Sequence, residues 1–511
     1  MLPVQTEFNI TVYSHFFITQ PISARARAAN RDFLLTLVEH SLTKKQGRWT
    51  TEPDKTYAWK DERRQRYHLH INCYDDYMHH LLSRGFQEEE LGIHVEPLFT
   101  PAPAKFSVVD TYIPREAQAP VIKAALEAVK QFAITAQMGG GKTLMFMFIA
   151  AAMGVRFSMR SKGGWSGRWA TAFTEYLDFT ENDYVICNGA KALYSYIKKH
   201  RQGKMDHIKA VYISNGAIRS LINDYGTEEQ DDAMGGIMPP WELYRTLGIG
   251  LVGVDEAHLE MHTHVLADLM THTVKRIALT GTLESRDTFK QKIYQMYLPK
   301  HLRRDLGALH VYVNAFEAQY NLSNTKPFEK VIRATVYSHN EFENVILKHK
   351  EMLERYMEAW YRYIVRTWMA NRIYDSKIIV FCGLVEMGAH LTEFLKRRFP
   401  DLRVAQYKAG DSDDVLEDND MLVSTALKAG TAVDISRLTR VYNLISVDSP
   451  NTLLQIMGRL RFLKDMADEG FHYHQGVCMD IPKQVDYMTK RKLVLAPRVI
   501  DIRPESLELL L

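Results

Sequence analysis

The sequence predicts an α/β protein with two tandem parallel-sheet domains preceded by a small α+β domain. Three observations carry that expectation. The chain has 511 residues, too many for one hydrophobic core. Beyond about residue 105, short apolar runs alternate with longer stretches of helical periodicity, the pattern of a parallel sheet covered on both faces. The first 105 residues lack that alternation.

In the front segment, residues 8–17 are apolar and β-rich, and residues 24–42 have helical periodicity. Residues 57–59 and 67–72 read as strands around a charged turn at 60–66, residues 74–84 as a helix and residues 92–97 as a last strand. The order β-α-β-β-α-β defines an α+β domain over residues 1–105. Its cations include Arg25, Arg27, Arg31, Lys60, Arg63, Arg64 and Arg66, with Lys44, Lys45 and Arg48 between them. Trp49, Tyr57, Trp59 and Tyr67 are interleaved, so this domain is expected to present a nucleic-acid face of phosphate-binding cations and stacking rings. Residues 98–105 (LFTPAPAK) read as a Pro-rich linker.

The first α/β domain is placed at 106–305, with strands at 132–136, 155–159, 184–186, 210–214, 251–254 and 276–280. The acidic stretch 224–240, rich in Gly and Pro, reads as an exposed insertion. The second domain is placed at 306–497, with strands at 377–382, 403–407, 421–424, 440–445 and 476–480. Residues 498–511 are left as a tail.

Bulk properties exclude some classes. Hydrophobic residues at 46% and charged residues at 24% are ordinary for a soluble protein. No apolar run reaches the length of a membrane-spanning helix. The opening residues lack the basic-then-apolar order of a secretory signal, so a cytoplasmic protein is expected. Cys73, Cys187, Cys382 and Cys478 form no CxxC pair, which argues against a zinc site or a disulfide framework. A net charge of +3 neither demands nor excludes nucleic acid.

The strongest chemical signal is Ala136-Gln-Met-Gly139-Gly140-Gly141-Lys142-Thr143, after one apolar run and before a helical stretch. Glycines let backbone N–H groups approach phosphate oxygens, and the helix N-terminus adds its positive dipole end. Lys142 would reach the β- and γ-phosphates of ATP, and Thr143 would ligate Mg²⁺. The second signal is Asp255-Glu256-Ala-His258. An Asp255 carboxylate at the end of a strand beside the phosphate-loop strand would hold the metal, and Glu256 would take a proton from the attacking water. His258, His262, His264 and His272 lack a completing set of ligands for zinc. His472 and His474 read as structural, and the rings within 340–373 as core.

These two motifs, with others in the same order over residues 112–462, resemble those of superfamily 2 helicases and translocases. Arg115-Glu-Ala-Gln118 resembles the adenine-recognition motif, and Leu279-Thr280-Gly-Thr282 the hydroxyl-bearing motif that couples hydrolysis to movement, with His258. Residues 377–382 look like the fourth motif. Ser424-Thr425 with Gly430 and Asp434 is similar to the fifth, and Gln455-Ile-Met-Gly-Arg459 to the sixth. The resemblance implies two RecA-like domains, ATP and Mg²⁺ as cofactors, Gln455 at the nucleotide and an arginine finger. The family's sixth motif ends in an arginine where this chain has Phe462, with Arg461 one residue early, so the finger is Arg459 or Arg461. Its nucleic-acid track would use Arg160, Lys162, Trp165 and Arg168, then Ser214, Asn215 and Thr425, with Arg63, Arg64 and Arg66 in front. Within the family, the layout is similar to that of phage recombination helicases, which implies branched DNA as the substrate; the oligomeric state is left open, with a monomer favoured. An RNA helicase, a duplex translocase or restriction-type motor subunit, and an ATP-gated binding protein are the alternatives.

Overall fold

The computed structural model describes residues 5–511 apart from 46–47, 63, 137–138, 282–286, 308–310, 333–336, 374, 409, 413, 427–434 and 447. The chain forms two compact units, one of Met1–Ala136 with Gly141–Gly307 and the other of Ala308–Leu511 with Gln137–Gly140. As the alternating pattern predicts, two seven-stranded, all-parallel sheets follow a small α+β region.

The front region is built on strands β1 (Phe8–Val12), β2 (Phe16–Pro21), β5 (Trp59–Asp61), β6 (Arg66–His70) and β7 (Leu91–Val95), in the order β5-β6-β2-β1-β7. Strand alternation splits their side chains between two faces. Phe17 and Thr19 face the helices Ala24–Leu35 and Tyr74–Ser83, where the Tyr77 ring packs on Phe17 and Phe33 and its hydroxyl bonds Thr19 and Asn30. Phe16, His68 and His70 face the other way, onto the helix Met261–Met270 of the first α/β domain. The residues expected to continue the first helix to 42 instead form a separate hairpin, β3 (Val38–Lys45) with β4 (Arg48–Thr56). The helix stops at Leu35, and the following Val38, Thr43, Thr50, Thr51 and Thr56 are β-branched residues that suit a pleated strand.

The front region is welded to its neighbour rather than tethered. Residues 98–105 are strapped down: Ala102 N–H donates to Gly248 O and Ala104 N–H to Gly154 O (both 2.9 Å), while Arg156 N–H donates to Ala102 O. Prolines at 101 and 103 lack an N–H, and the alanine after each supplies the donor. Behind the front sheet, Asp268 is 3% exposed and accepts from Arg160 Nη2 (3.1 Å) and from Arg276 Nη1, with His70 Nε2 at 3.7 Å. Burial alone would raise the Asp268 carboxyl, but Arg276, His70 and Arg160 outweigh it and hold it far below the usual range. A buried charge left without its partner costs about 3–5 kcal/mol, so this cluster ties the two layers together.

The first α/β sheet comprises β8 (Gln131–Thr135), β9 (Phe157–Ser161), β10 (Tyr184–Cys187), β11 (Ala210–Ser214), β12 (Leu251–Val254), β13 (Lys275–Thr280) and β14 (Arg303–Asp305), ordered β10-β11-β9-β12-β13-β8-β14. Buried core residues include Phe146, Phe157 and Phe173 on one face and Val211, Val252 and Val265 on the other. The stretch 224–240 is not simply an exposed insertion. It contains the short helix Glu228–Met234 and buries Met234, Met238 and Pro240.

The second unit orders its strands β17-β18-β16-β19-β20-β15-β21. They are β15 (Val313–Asn321), β16 (Lys377–Cys382), β17 (Val404–Tyr407), β18 (Met421–Thr425), β19 (Leu438–Asn443), β20 (Phe471–Cys478) and β21 (Asp501–Leu510). The residues set apart as a tail thus form the edge strand β21, parallel to β15. An edge strand tolerates Pro504 and a left-handed Glu508 (φ 54°) because one side of its backbone pairs with nothing in the sheet. Along β16, Ile378 and Val380 enter one core and Ile379 and Phe381 the other.

Candidate active site

The sequence places the acidic-box strand beside the phosphate-loop strand, but in the structure the two are not neighbours. β13 runs between β8 and β12 and is parallel to both. Its last residue connects the two loops. Thr280 O accepts from Ala136 N–H (3.0 Å), Leu279 O accepts from Ala257 N–H (3.0 Å), and Thr280 Oγ1 lies 3.0 Å from His258 Nδ1. The inserted strand separates the two loops, and Thr280 touches both sides, the phosphate loop through its carbonyl and the acidic box through its hydroxyl.

Lys142 opens the helix Lys142–Met153, and Thr143 is the next residue, half-buried. Gly139 (φ 77°) and Gly141 (φ 76°) take the left-handed backbone that turns the chain into this helix. A side chain at Gly141 would also collide with Gln118 Nε2. Gln118 is buried, its Oε1 accepts from Arg115 N–H at 2.9 Å, and its amide lies against the phosphate loop. The sequence thus brings Arg115, Gln118, Gly141 and Lys142 together.

Lys142 Nζ donates to Ala136 O (3.0 Å) and lies 3.5 Å from Glu256 Oε1. Glu256 Oε2 is 3.3 Å from His258 Nδ1. Glu256 itself is left-handed (φ 45°), a conformation that costs free energy for a non-glycine residue and is characteristic of functional turns. Burial works against the Glu256 carboxylate, but Lys142 and His258 outweigh it and hold its pKa below the usual value. Burial pushes the His258 imidazole down, towards its neutral form.

Asp255 Oδ2 accepts from Trp169 Nε1 (3.2 Å) and Oδ1 from Glu256 N–H (2.9 Å). Trp169 was not expected here. It lies four residues after Trp165 on the helix Ser166–Tyr176, and it is the buried ring of the pair while Trp165 is half-buried. Burial and the adjacent Glu256 charge push Asp255 up to about 6, against the pull of Lys142 and Arg168. The hydroxyl of Thr143 and the Asp255 carboxylate are hard oxygen donors at the adjoining loops, the donor type Mg²⁺ prefers.

A pKa raised from 3.8 means the folded state binds this proton more tightly than the unfolded chain. The contribution of Asp255 to stability is therefore greatest at low pH and is lost as pH rises from about 4 through 6. Asp255→Asn is expected to raise the melting temperature by a few degrees at pH 8, with the gain shrinking towards pH 4. Thermal melts without Mg²⁺ or nucleotide check this, and equal melting temperatures at pH 8 would contradict it.

Of the expected track residues, Arg160 does not reach the surface. It is 1% exposed and its guanidinium belongs to the Asp268 cluster, while its carbonyl accepts from Asp255 N–H (2.9 Å). Position 160 points inward because β9 is a central strand covered on both faces. Lys162, Trp165 and Arg168 do follow β9 at the surface, with Lys162 Nζ 6.0 Å from the Trp165 ring. Ser214 caps the next helix and accepts from Ala217 N–H and Gly189 N–H, and Asn215 donates to Glu260 Oε2 (2.8 Å). Asn188, which sequence reasoning passed over, joins these loops by donating to Gly163 O (3.0 Å) and Ser166 Oγ (3.3 Å).

In the front region, Arg64 is exposed and Arg66 half-buried, while Tyr57 is 4% exposed and packs on His262. That ring is core rather than a stacking platform. Arg63, Thr282, Gly430 and Asp434 lie outside the described residues.

In the second unit, Thr425 ends β18, half-buried. Gln455 lies on the helix Pro450–Met457, capped by Ser449 and closed at Gly458. Arg459 follows and is 2% exposed, while Arg461 is half-buried. Phe462, standing where an arginine was expected, packs with Tyr312 (5.5 Å between centroids) and Phe471 (6.0 Å). Tyr312 OH donates to Leu460 O (2.7 Å), so this ring cluster anchors the segment.

No protein-family model and no curated protein match the sequence. Among solved structures, the chain is similar to the Hef helicase domain of Pyrococcus furiosus, at 13% identity and a TM-score of 0.43, over 74% of this chain and 98% of that one. It is also similar to a fragment of a putative HsdR subunit of a type I restriction enzyme from Vibrio vulnificus, at 13% identity and a TM-score of 0.49, over 96% and 87% of the two chains.

Proposed function

We propose that this protein is an ATP-driven motor on nucleic acid, of the helicase and translocase type, acting on branched DNA. The observation that carries the reading is Lys142 Nζ held between Ala136 O and Glu256, at the head of a glycine-loop helix and facing the acidic box. That arrangement suits phosphate capture followed by hydrolysis. The β- and γ-phosphates of ATP would compete for Lys142. Once Lys142 turns to them, Glu256 loses its cationic partner and its proton affinity rises, which readies it as a base for the attacking water. Thr143 and Asp255 would hold Mg²⁺, which neutralises charge on the phosphate oxygens. His258, hydrogen-bonded to Thr280, links the base to β13 and through it to the phosphate loop.

The surface loop Lys162–Arg168 leads into Trp169, which bonds Asp255, and Asn215 at the next helix start bonds Glu260 just beyond the acidic box, which supports a nucleic-acid strand as the thing moved. Backbone donors and cations there favour phosphate contacts over base readout. The order of domains, similar to that of the phage recombination helicase UvsW, and the cationic front region favour forks and four-way junctions. The test compares ATP-dependent processing of forks, four-way junctions, plain duplex and RNA duplex. Strand separation or branch migration on the junctions is expected. Turnover stimulated by RNA alone would sink the DNA reading, and movement along duplex without separation would favour the translocase alternative.

A further inference from the structure

The second unit carries a cationic groove that the ATP chemistry does not use. It has a volume of about 1710 Å³, well beyond the size of a small-molecule pocket. Its walls are the helix Lys350–Thr367, the helix Val385–Arg398 and β21. Six Lys and Arg side chains line it against three Glu. Arg355, Arg362 and Arg366 form a row of about 16 Å along the first helix, at 1.5 Å per residue. Arg397 and Arg398 face them from the second helix.

The three carboxylates pair with Lys350, Arg362, Arg366 and Arg398 and compensate only half of the six positive charges. Glu358 holds both Arg362 (3.0 Å) and Arg398 (2.5 Å), and Glu508 holds Arg366 (2.7 Å). Arg398 also lies over the Tyr361 and Phe394 rings. Among the described residues, Arg355 and Arg397 are exposed and pair with no carboxylate. The groove lies on the face of the sheet that receives Ile378 and Val380. The Gln455 helix lies on the other face, with Ile379 and Phe381.

We propose that this groove is a second nucleic-acid site that grips the phosphate backbone of a duplex arm. Arginine predominates, whose planar fork matches phosphate oxygens. The rings at the groove, Tyr363 and Phe394, are buried under their own helices, so bases find no stacking platform and a single strand is disfavoured. The contact is therefore electrostatic and indifferent to sequence. It rests on the nucleic-acid part of the proposed function but not on turnover.

The test is fluorescence anisotropy of the full chain on two blunt 30-bp duplexes of unrelated sequence, titrated with salt and without nucleotide. The double variant Arg355→Glu with Arg397→Glu is expected to bind both duplexes at least about tenfold more weakly at low salt. The slope of log affinity against log salt should fall by about 1–2. The double lysine variant should retain most of the slope, and ATP turnover without nucleic acid should be unchanged in both. Equal affinity and slope in the glutamate variant would overturn the proposal. So would a wild-type chain that binds no duplex, or one that binds a polyglutamate peptide through these arginines while duplex binding survives their reversal. A chain that binds duplex through them but hydrolyses no ATP would instead defeat the motor reading and leave the groove standing.

Discussion

Glu256→Gln is expected to bind ATP and nucleic acid normally and to lose about 10²–10⁴-fold in turnover. The substitution keeps shape and removes only the capacity to take a proton. It leaves Asp255 with its Trp169 bond and leaves Lys142 bonded to Ala136 O. Removing a carboxylate beside Asp255 also removes the charge that helps push Asp255 up, so metal binding should not weaken. The pair of measurements is nucleotide affinity and steady-state hydrolysis at saturating nucleic acid. Undiminished turnover would remove Glu256 as the base. A matched loss of affinity would mean that its role is to position Lys142.

Arg459→Ala is expected to cost about 10³–10⁵-fold in turnover, the magnitude of a lost arginine finger, whereas Arg461→Ala should cost less than about tenfold. Arg459 lies in the turn that closes the Gln455 helix, where its N–H donates to Ile456 O (3.3 Å), so the end of that helix positions it. Arg461 instead adjoins the Tyr312–Phe462–Phe471 ring cluster, whose packing holds the segment in place. Hydrolysis rates of the two alanine variants at saturating ATP decide the assignment. A collapse at Arg461 with Arg459 near wild type would reverse it.

Much of the fold was legible because buried parallel strands leave a local record. Residues 251–254 and 377–382 are continuous apolar runs between helical stretches, and both are central strands. The strands that went unseen lie at sheet edges or beside them. β14 is three residues long, and β21 carries Pro504 and alternating charges that read as a tail. The linker at 98–105 was misread for a related reason: its prolines signal a break, and nothing local shows that Gly248 and Gly154 lie waiting to pair with the alanines that follow them.

The phosphate loop and the acidic box were readable from spacing alone, because each places its chemistry on a single strand–loop turn. So was the alternation that builds two parallel sheets after a small α+β region. Only the tertiary structure decided that β13 separates the two strands and makes Thr280 their common contact. The same holds for Trp169 rather than Trp165 reaching Asp255, and for Arg160 turning inward to Asp268 instead of outward to a phosphate. Local periodicity reports which side chains share a face. Which face of which element meets it is set by pairing between residues more than a hundred positions apart, as Arg160 and Asp268 are. There the cost of burying a charge unpaired selects the partner.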